Sequence, residues 1–356
     1  MATEPLFFTT MDNMLARFDA TGRRMALTAS GPAGLHAWQH ELRAQFRRLI
    51  GLDTMTTAPL EPHVTETVQC AGYIRQRVEV HTAPDVMMPL YVLVPDGLRP
   101  GELRAAVITP HGHGAGGKLA TAGCDRNPAV AQAILQFNGD YGVQFVRQGL
   151  VVFCPDARGF GERREVGRQD DGNLLNSSCD LINHMALPLG QIVTGMFAWD
   201  LMRLIDYIEG RPDCDPKRVG CAGLSGGGMQ TLWLTALDER IRCAVVSGYF
   251  YGYKDALLRL NGNCSCNYVP GLWQLADMGD IGALIAPRPL LIETGDADPL
   301  NGEHGVANVL EQVAITRHAY ALLNAEERLC HHIFAGEHRW CGEKSVPWLV
   351  SHLAAA

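Results

Sequence analysis

Apolar and polar positions recur along this chain with two different periods, and the change of period divides it. Near the start, Trp38, Leu42, Phe46, Leu49 and Ile50 fall on one face at helical spacing, and Gly51 closes the run. That pattern predicts a helix ending there, within a largely helical opening segment. From Tyr73 onward the repeat shortens toward that of strands. Residues 74–80 and 90–94 are short β-like runs, and Thr82, Ala83, Pro84 and Asp85 mark the turn between them. Residues 105–109, 150–154, 219–223, 244–247, 290–293 and 330–334 are further apolar strand candidates. Helical stretches separate most of them, such as the one bearing Phe197, Leu201, Leu204, Ile205 and Ile208. Alternating strands and helices predict an α/β fold: a mostly parallel sheet with helices on both faces. Chemistry in such a sheet gathers at the carboxyl ends of the strands. The layout expected is a helical extension over residues 1–60 and a catalytic domain over 61–356, with an insertion at about 249–283.

Composition narrows the classes. A chain of 356 residues, 47% hydrophobic and 19% charged, buries a large core and is globular. Its net charge of -8 and lack of a dense Lys/Arg run argue against nucleic acid, and Arg43, Arg47 and Arg48 read as the wet face of a helix. No run approaches the ~20 apolar residues of a membrane span. The opening Met1-Ala-Thr-Glu-Pro lacks a basic stretch followed by an apolar one, so a cytoplasmic location is expected. Eleven cysteines form no CxxC pair, which argues against zinc ribbons and thioredoxin chemistry. Cys154, Cys221 and Cys243 read as small buried side chains. Cys264 and Cys266 stand too close for a comfortable disulfide and make only half a metal site. Nothing in the sequence speaks to oligomeric state.

The chemistry lies in three turns. Gly223-Leu-Ser225-Gly226-Gly-Gly228 follows the strand candidate 219–223 and precedes a credible helix from Met229. This is the G-x-S-x-G elbow in its required context, a sharp strand-to-helix turn that exposes a serine hydroxyl. A glycine-rich turn with an idle serine is the plainer alternative, and a P-loop is ruled out by the missing Lys-Ser/Thr ending. A serine needs a base, and the base needs an orienting acid. Asp296 and Asp298 follow the strand candidate 290–293, and His338 follows 330–334, in the order Ser, Asp, His. Asp298 lies deeper in its turn and is the expected acid, because Asp296 beside Gly295 can cap the turn locally. His331 and His332 are neighbours in a strand, face opposite sides of the sheet and read as structural. Thr109-Pro-His111-Gly-His113-Gly114 supplies the remaining turn. The oxyanion hole is expected from the backbone N–H of Gly226 with that of His113, and Gly114 next. A zinc cluster of His111 and His113 with His331 or His332 has no HExxH spacing to support it, so no metal is expected.

The insertion carries Tyr249, Phe250, Tyr251, Tyr253, Tyr268 and Trp273. These aromatics either fasten the insertion to the core, the reading for most of them, or roof the active site. Tyr251, Tyr268 and Trp273 are the candidates for the substrate pocket. Arg158, in Asp156-Ala-Arg-Gly-Phe-Gly-Glu162, either holds the rim loops by an ion pair or contacts substrate directly.

In combination, the His-Gly-His-Gly loop, the Asp156 to Glu162 run, Gly-Leu-Ser-Gly-Gly-Gly, Ile285-Ala-Pro-Arg-Pro-Leu-Leu-Ile and Gly-Glu-His338 resemble a known group. They are similar to the acetyl xylan esterase-like and dienelactone hydrolase-like members of the α/β-hydrolases, over residues 35–352. The resemblance implies an eight-stranded sheet, a triad of Ser225, Asp298 and His338, and hydrolysis of a carboxylic ester without a cofactor. With no secretory leader expected, a small soluble ester fits better than xylan. The same triad also serves lactones, thioesters, amides and activated carbon–carbon bonds, and a non-catalytic binding protein on the same fold is the third reading.

Overall fold

The structure, a computed structural model, describes residues 8–165 and 172–354. The opening Met1 to Pro5, on which the absence of a leader was read, lies outside them. Among the described residues nine strands form one sheet: β1 (His63–Cys70), β2 (Tyr73–Ala83), β3 (Val86–Pro95), β4 (Arg104–Ile108), β5 (Val151–Pro155), β6 (Cys214–Leu224), β7 (Ile241–Ser247), β8 (Leu290–Gly295) and β9 (Leu329–Phe334). Their order is β1-β2-β3-β5-β4-β6-β7-β8-β9. The first three form an antiparallel meander, and β3 joins β5 antiparallel. From β5 to β9 every pairing is parallel.

One strand more is present than the resemblance implies. β1, His-Val-Thr-Glu-Thr-Val-Gln-Cys, is an edge strand exposed along most of its length. An edge strand buries little, so its sequence lacks the apolar run that marks the inner strands. Inner runs such as β5 and the Cys243 to Val246 stretch of β7 are apolar because both faces are covered. Successive residues point to opposite sides. Val107, Val152 and Cys154 enter the core on one face, while Ala106, Ile108, Val151 and Phe153 enter the other. The C-terminal helix Ser345–Ala354 covers the first face through Leu349 and Leu353. The helix Val193–Glu209 covers the second through Leu201, Leu204, Ile205 and Ile208.

The helix Pro32–Leu49 sinks Leu35, Leu42 and Phe46 into the largest core, each burial contributing about 1.5–3 kcal/mol. Arg43 departs from the wet-face reading: its guanidinium donates to the carbonyls of Ala236 and Leu284, fastening this helix to the domain. Among the described residues no helix is long and apolar enough to cross a membrane.

The chain runs from β4 outward to β5 and then returns to place β6 on the other side of β4. That reversal opens a crevice beyond the carboxyl ends of β4 and β6, where α/β sheets bind their ligands.

Candidate active site

β6 ends at Leu224, and the helix Gly226–Leu237 begins two residues later. Between them Ser225 adopts φ 59° and ψ −121°, a conformation that costs an L-residue about 1–3 kcal/mol. The surroundings enforce it. The Ser225 N–H donates to the Ser247 carbonyl at 2.9 Å, and its own carbonyl accepts from Met229. Close packing explains the glycines: a β-carbon on Gly223 would lie 2.4 Å from the Gly227 carbonyl, and one on Gly226 would lie 2.6 Å from His113 Nδ1.

The loop after β4 lies against this turn and is held on every side. Tyr141 Oη donates to the Pro110 carbonyl at 2.6 Å, and the Gln230 side chain donates to the His111 carbonyl at 3.1 Å. His111 is buried, its Nε2 accepting from the Ala157 N–H at 3.1 Å and its Nδ1 donating to the Gly112 carbonyl at 2.9 Å. Burial pushes its pKa below the usual histidine value, in keeping with this neutral tautomer. His111 therefore shapes the loop from within, whereas His113 lies over Gly226.

Of the two aspartates, Asp298 reaches His338: His338 Nδ1 lies 2.7 Å from Asp298 Oδ2, and Asp298 Oδ1 accepts from the Leu300 N–H at 2.9 Å. Asp298 is 4% exposed. Asp296 is exposed and accepts from the Gly336 N–H, capping the turn. His331 and His332 stay in β9, away from the crevice; His331 pairs with Thr294, and burial lowers its pKa to about 4.

Ser225, Gly226, His113 and His338 line one cavity of about 310 Å³, with Tyr249, Tyr251 and Phe137 among its other walls. Gly114 lies outside that lining. Two pocket candidates are corrected. Tyr268 and Trp273 line a separate cavity with Met14 and Phe18, because the helix Met11–Thr21 folds back over the insertion and packs on them. Arg158 takes the ion-pair alternative and not substrate contact: its Nε and Nη2 each donate to Asp200 at 2.9 Å, and Arg163 joins the same carboxylate at 2.8 Å. Asp200 is drawn down to about 2 despite burial, because Arg163 and Arg158 hold its charge. Phe137 was not legible as a wall residue, since no motif surrounds it, and Leu300 stands just past the acid turn with no signal of its own.

Two groups among the described residues have metal-ligand chemistry. Glu293, His332 and Cys341 approach one another, but Glu293 already accepts from Ser247, Ser345 and the N–H groups of Cys341 and Gly342. The other corrects the half-site reading of Cys264 and Cys266: Cys179 and His113 converge on them. Hydrogen bonds from Cys179 and Cys266 hold the Cys264 thiol pKa down, while burial pushes that of Cys266 up.

A strained serine at a strand-to-helix elbow and an aspartate-bound histidine thus line one cavity at a sheet switch point. Residues 24–332 match the Abhydrolase family profile. The chain belongs to the Abhydrolase family. It is similar to YtaP of Bacillus subtilis (strain 168), provisionally named a hydrolase, at 31% identity over 167 residues. That match covers 46% of this chain and 52% of YtaP, so it spans about half of that relative. Among solved structures, a Bacteroides fragilis NCTC 9343 protein provisionally named an acetyl xylan esterase superposes with TM-score 0.72 at 21% identity, covering 94% of this chain and 84% of that one. A glucuronoyl esterase from Solibacter usitatus superposes with TM-score 0.67 at 15% identity, covering 94% and 97%. At these identities the likeness establishes the shared α/β-hydrolase fold of this abhydrolase.

Proposed function

We propose that this abhydrolase cleaves carboxylic esters with small acyl groups through an acyl-enzyme on Ser225. The observation that carries the reading is the 2.7 Å contact of Asp298 with His338, on the wall of the cavity that holds strained Ser225. In the reaction, His338 Nε2 takes the Ser225 hydroxyl proton as Oγ attacks the ester carbonyl. Asp298 holds the tautomer that leaves Nε2 free to accept, and stabilises the imidazolium that forms. The Gly226 and His113 N–H groups receive the oxyanion. His338 then protonates the leaving alcohol, and a water activated by the same imidazole releases the acid.

The cavity volume supports a small acyl group. About 310 Å³ is near the lower end for small-molecule sites, and the aromatic walls of Phe137, Tyr249 and Tyr251 are stiff. The names of the superposed proteins, provisionally an acetyl xylan esterase and a glucuronoyl esterase, also denote ester hydrolysis. The eleven cysteines, none in a disulfide, support a reducing compartment as the place of action.

The test uses a chromogenic acetyl ester and a serine-directed phosphonate. Wild-type protein is expected to turn over the ester and to carry the phosphonate on Ser225. Ser225→Ala should lose turnover by several orders of magnitude with the fold intact. Undiminished turnover in that variant would end the proposal.

A further inference from the structure

We propose that His113, Cys179, Cys264 and Cys266 form a structural binding site for a single zinc ion beside the candidate active site. Three distant segments supply the donors: the loop after β4, the first residue of the helix Cys179–Ala186, and the residues flanking Ser265 in the insertion. One ligand atom from each of the four lies within 4.8 Å of all the others, and His113 Nε2 is 3.3 Å from Cys266 Sγ. A zinc tetrahedron with Zn–S of ~2.3 Å and Zn–N of ~2.0 Å has edges of about 3.5–3.8 Å, so the widest separations close on an ion by shortening about 1 Å. Three thiolates and one imidazole are a preferred donor set for zinc, whereas hard cations such as magnesium and calcium take oxygen.

The surroundings are built for thiolate ligands. Cys179 and Cys266 are buried, at 1% and 0% exposure. Asn267 Nδ2 lies 3.6 Å from Cys266 Sγ as a donor and also donates to the Cys264 carbonyl at 3.0 Å. Its Oδ1 accepts from Tyr249 Oη at 2.9 Å, which fixes the amide orientation. Thr194 donates to the Cys266 carbonyl, and Asn183 donates to Ser265 Oγ at 3.1 Å. Such outer contacts orient ligands before the ion arrives. Four protein donors complete the tetrahedron and leave no position for substrate or water, which makes the site structural. The competing chemistry is a disulfide between Cys179 and one of its neighbours; all three thiols are free in this structure. Zinc here would tie the insertion to the loop whose His113 N–H is proposed to hold the oxyanion. That consequence rests on the proposed hydrolysis; the metal site does not.

The test begins with metal analysis of the full chain, purified without chelators and exchanged into metal-free buffer. About one zinc per chain is expected, as for a saturated structural site. Cys179→Ser, Cys264→Ser and Cys266→Ser should each carry less than about a tenth of that, and Cys341→Ser should keep it. Should the serine variants fail to fold, two measurements on wild type decide. Cobalt substitution is expected to give thiolate-to-cobalt charge-transfer bands with strong visible absorption. Chelation should expose three more of the eleven thiols to a thiol reagent. A wild-type chain that takes up neither zinc nor cobalt, or that carries a disulfide within this cluster, would overturn the site. Metal content is read without reference to turnover, so a chain that binds zinc and cleaves no ester would refute the proposed hydrolysis alone.

Discussion

Replacing Asp298 by asparagine isolates what the carboxylate does. In the structure one of its oxygens accepts from His338 Nδ1 at 2.7 Å and the other from the Leu300 N–H at 2.9 Å. Asparagine has one acceptor oxygen and one NH2 group in the same space. Retaining the Leu300 hydrogen bond turns the NH2 toward Nδ1, which must then become the acceptor. The ring proton moves to Nε2, which in the proposed mechanism blocks general-base action. Loss of the orienting charge adds to this, and in a comparable triad the change costs about 10⁴-fold in kcat, or roughly 5.4 kcal/mol. Asp296→Asn is the control, since Asp296 is exposed and only accepts from the Gly336 N–H, a contact that an amide oxygen also makes. Its effect should stay within roughly threefold, the range of an ordinary surface change. The assay is kcat and kcat/KM on 4-nitrophenyl acetate, with thermal melts to confirm that both variants fold. A larger loss from Asp296→Asn, or a loss under tenfold from Asp298→Asn, refutes the assignment.

Three other outcomes follow from the geometry. Esters from acetyl to dodecanoyl should fall in kcat/KM beyond propionyl, each methylene that the walls cannot house costing about 1–3 kcal/mol; an optimum at octanoyl or longer would contradict the compact cavity. Gly226→Ala puts a β-carbon 2.6 Å from His113 Nδ1, so the loop must shift. A fall in kcat of about 10²–10³-fold is expected, as for a displaced oxyanion donor, and unchanged kcat would remove His113 from that role. Asp200→Asn should destabilise the fold by about 3–5 kcal/mol at neutral pH, because buried Arg163 loses its partner. Since the folded-state pKa of Asp200 lies at about 2, below its unfolded value, the wild-type advantage is present above about pH 4. It should fade as pH falls toward 2, which urea melts at several pH values would record; an advantage that grows with acid is incompatible with this pairing.

The inner strands, the elbow and its two partner turns are legible along the chain because each depends on neighbours in sequence. A strand covered on both faces needs an unbroken apolar run, as in β5 and β7, and a serine held at φ 59° needs glycines beside it. β1 escaped notice for the same reason in reverse: an exposed edge strand carries Thr, Glu and Gln without penalty.

What the sequence could not decide was which distant groups meet. Tyr268 and Trp273 have the composition of pocket walls, yet the helix Met11–Thr21 claims them, and Arg158 turns to Asp200. Asp298 and Asp296 differ by two positions, and only the placing of β9 beside β8 brings His338 to one of them. Cys264 and Cys266 look like half a site until the fold brings Cys179 and His113 against them. Local sterics and periodicity are written into adjacent residues, so a short stretch of sequence specifies a strand or a turn. Contacts across the molecule depend on strand order and on how each helix packs, which the summed burial of the whole chain selects.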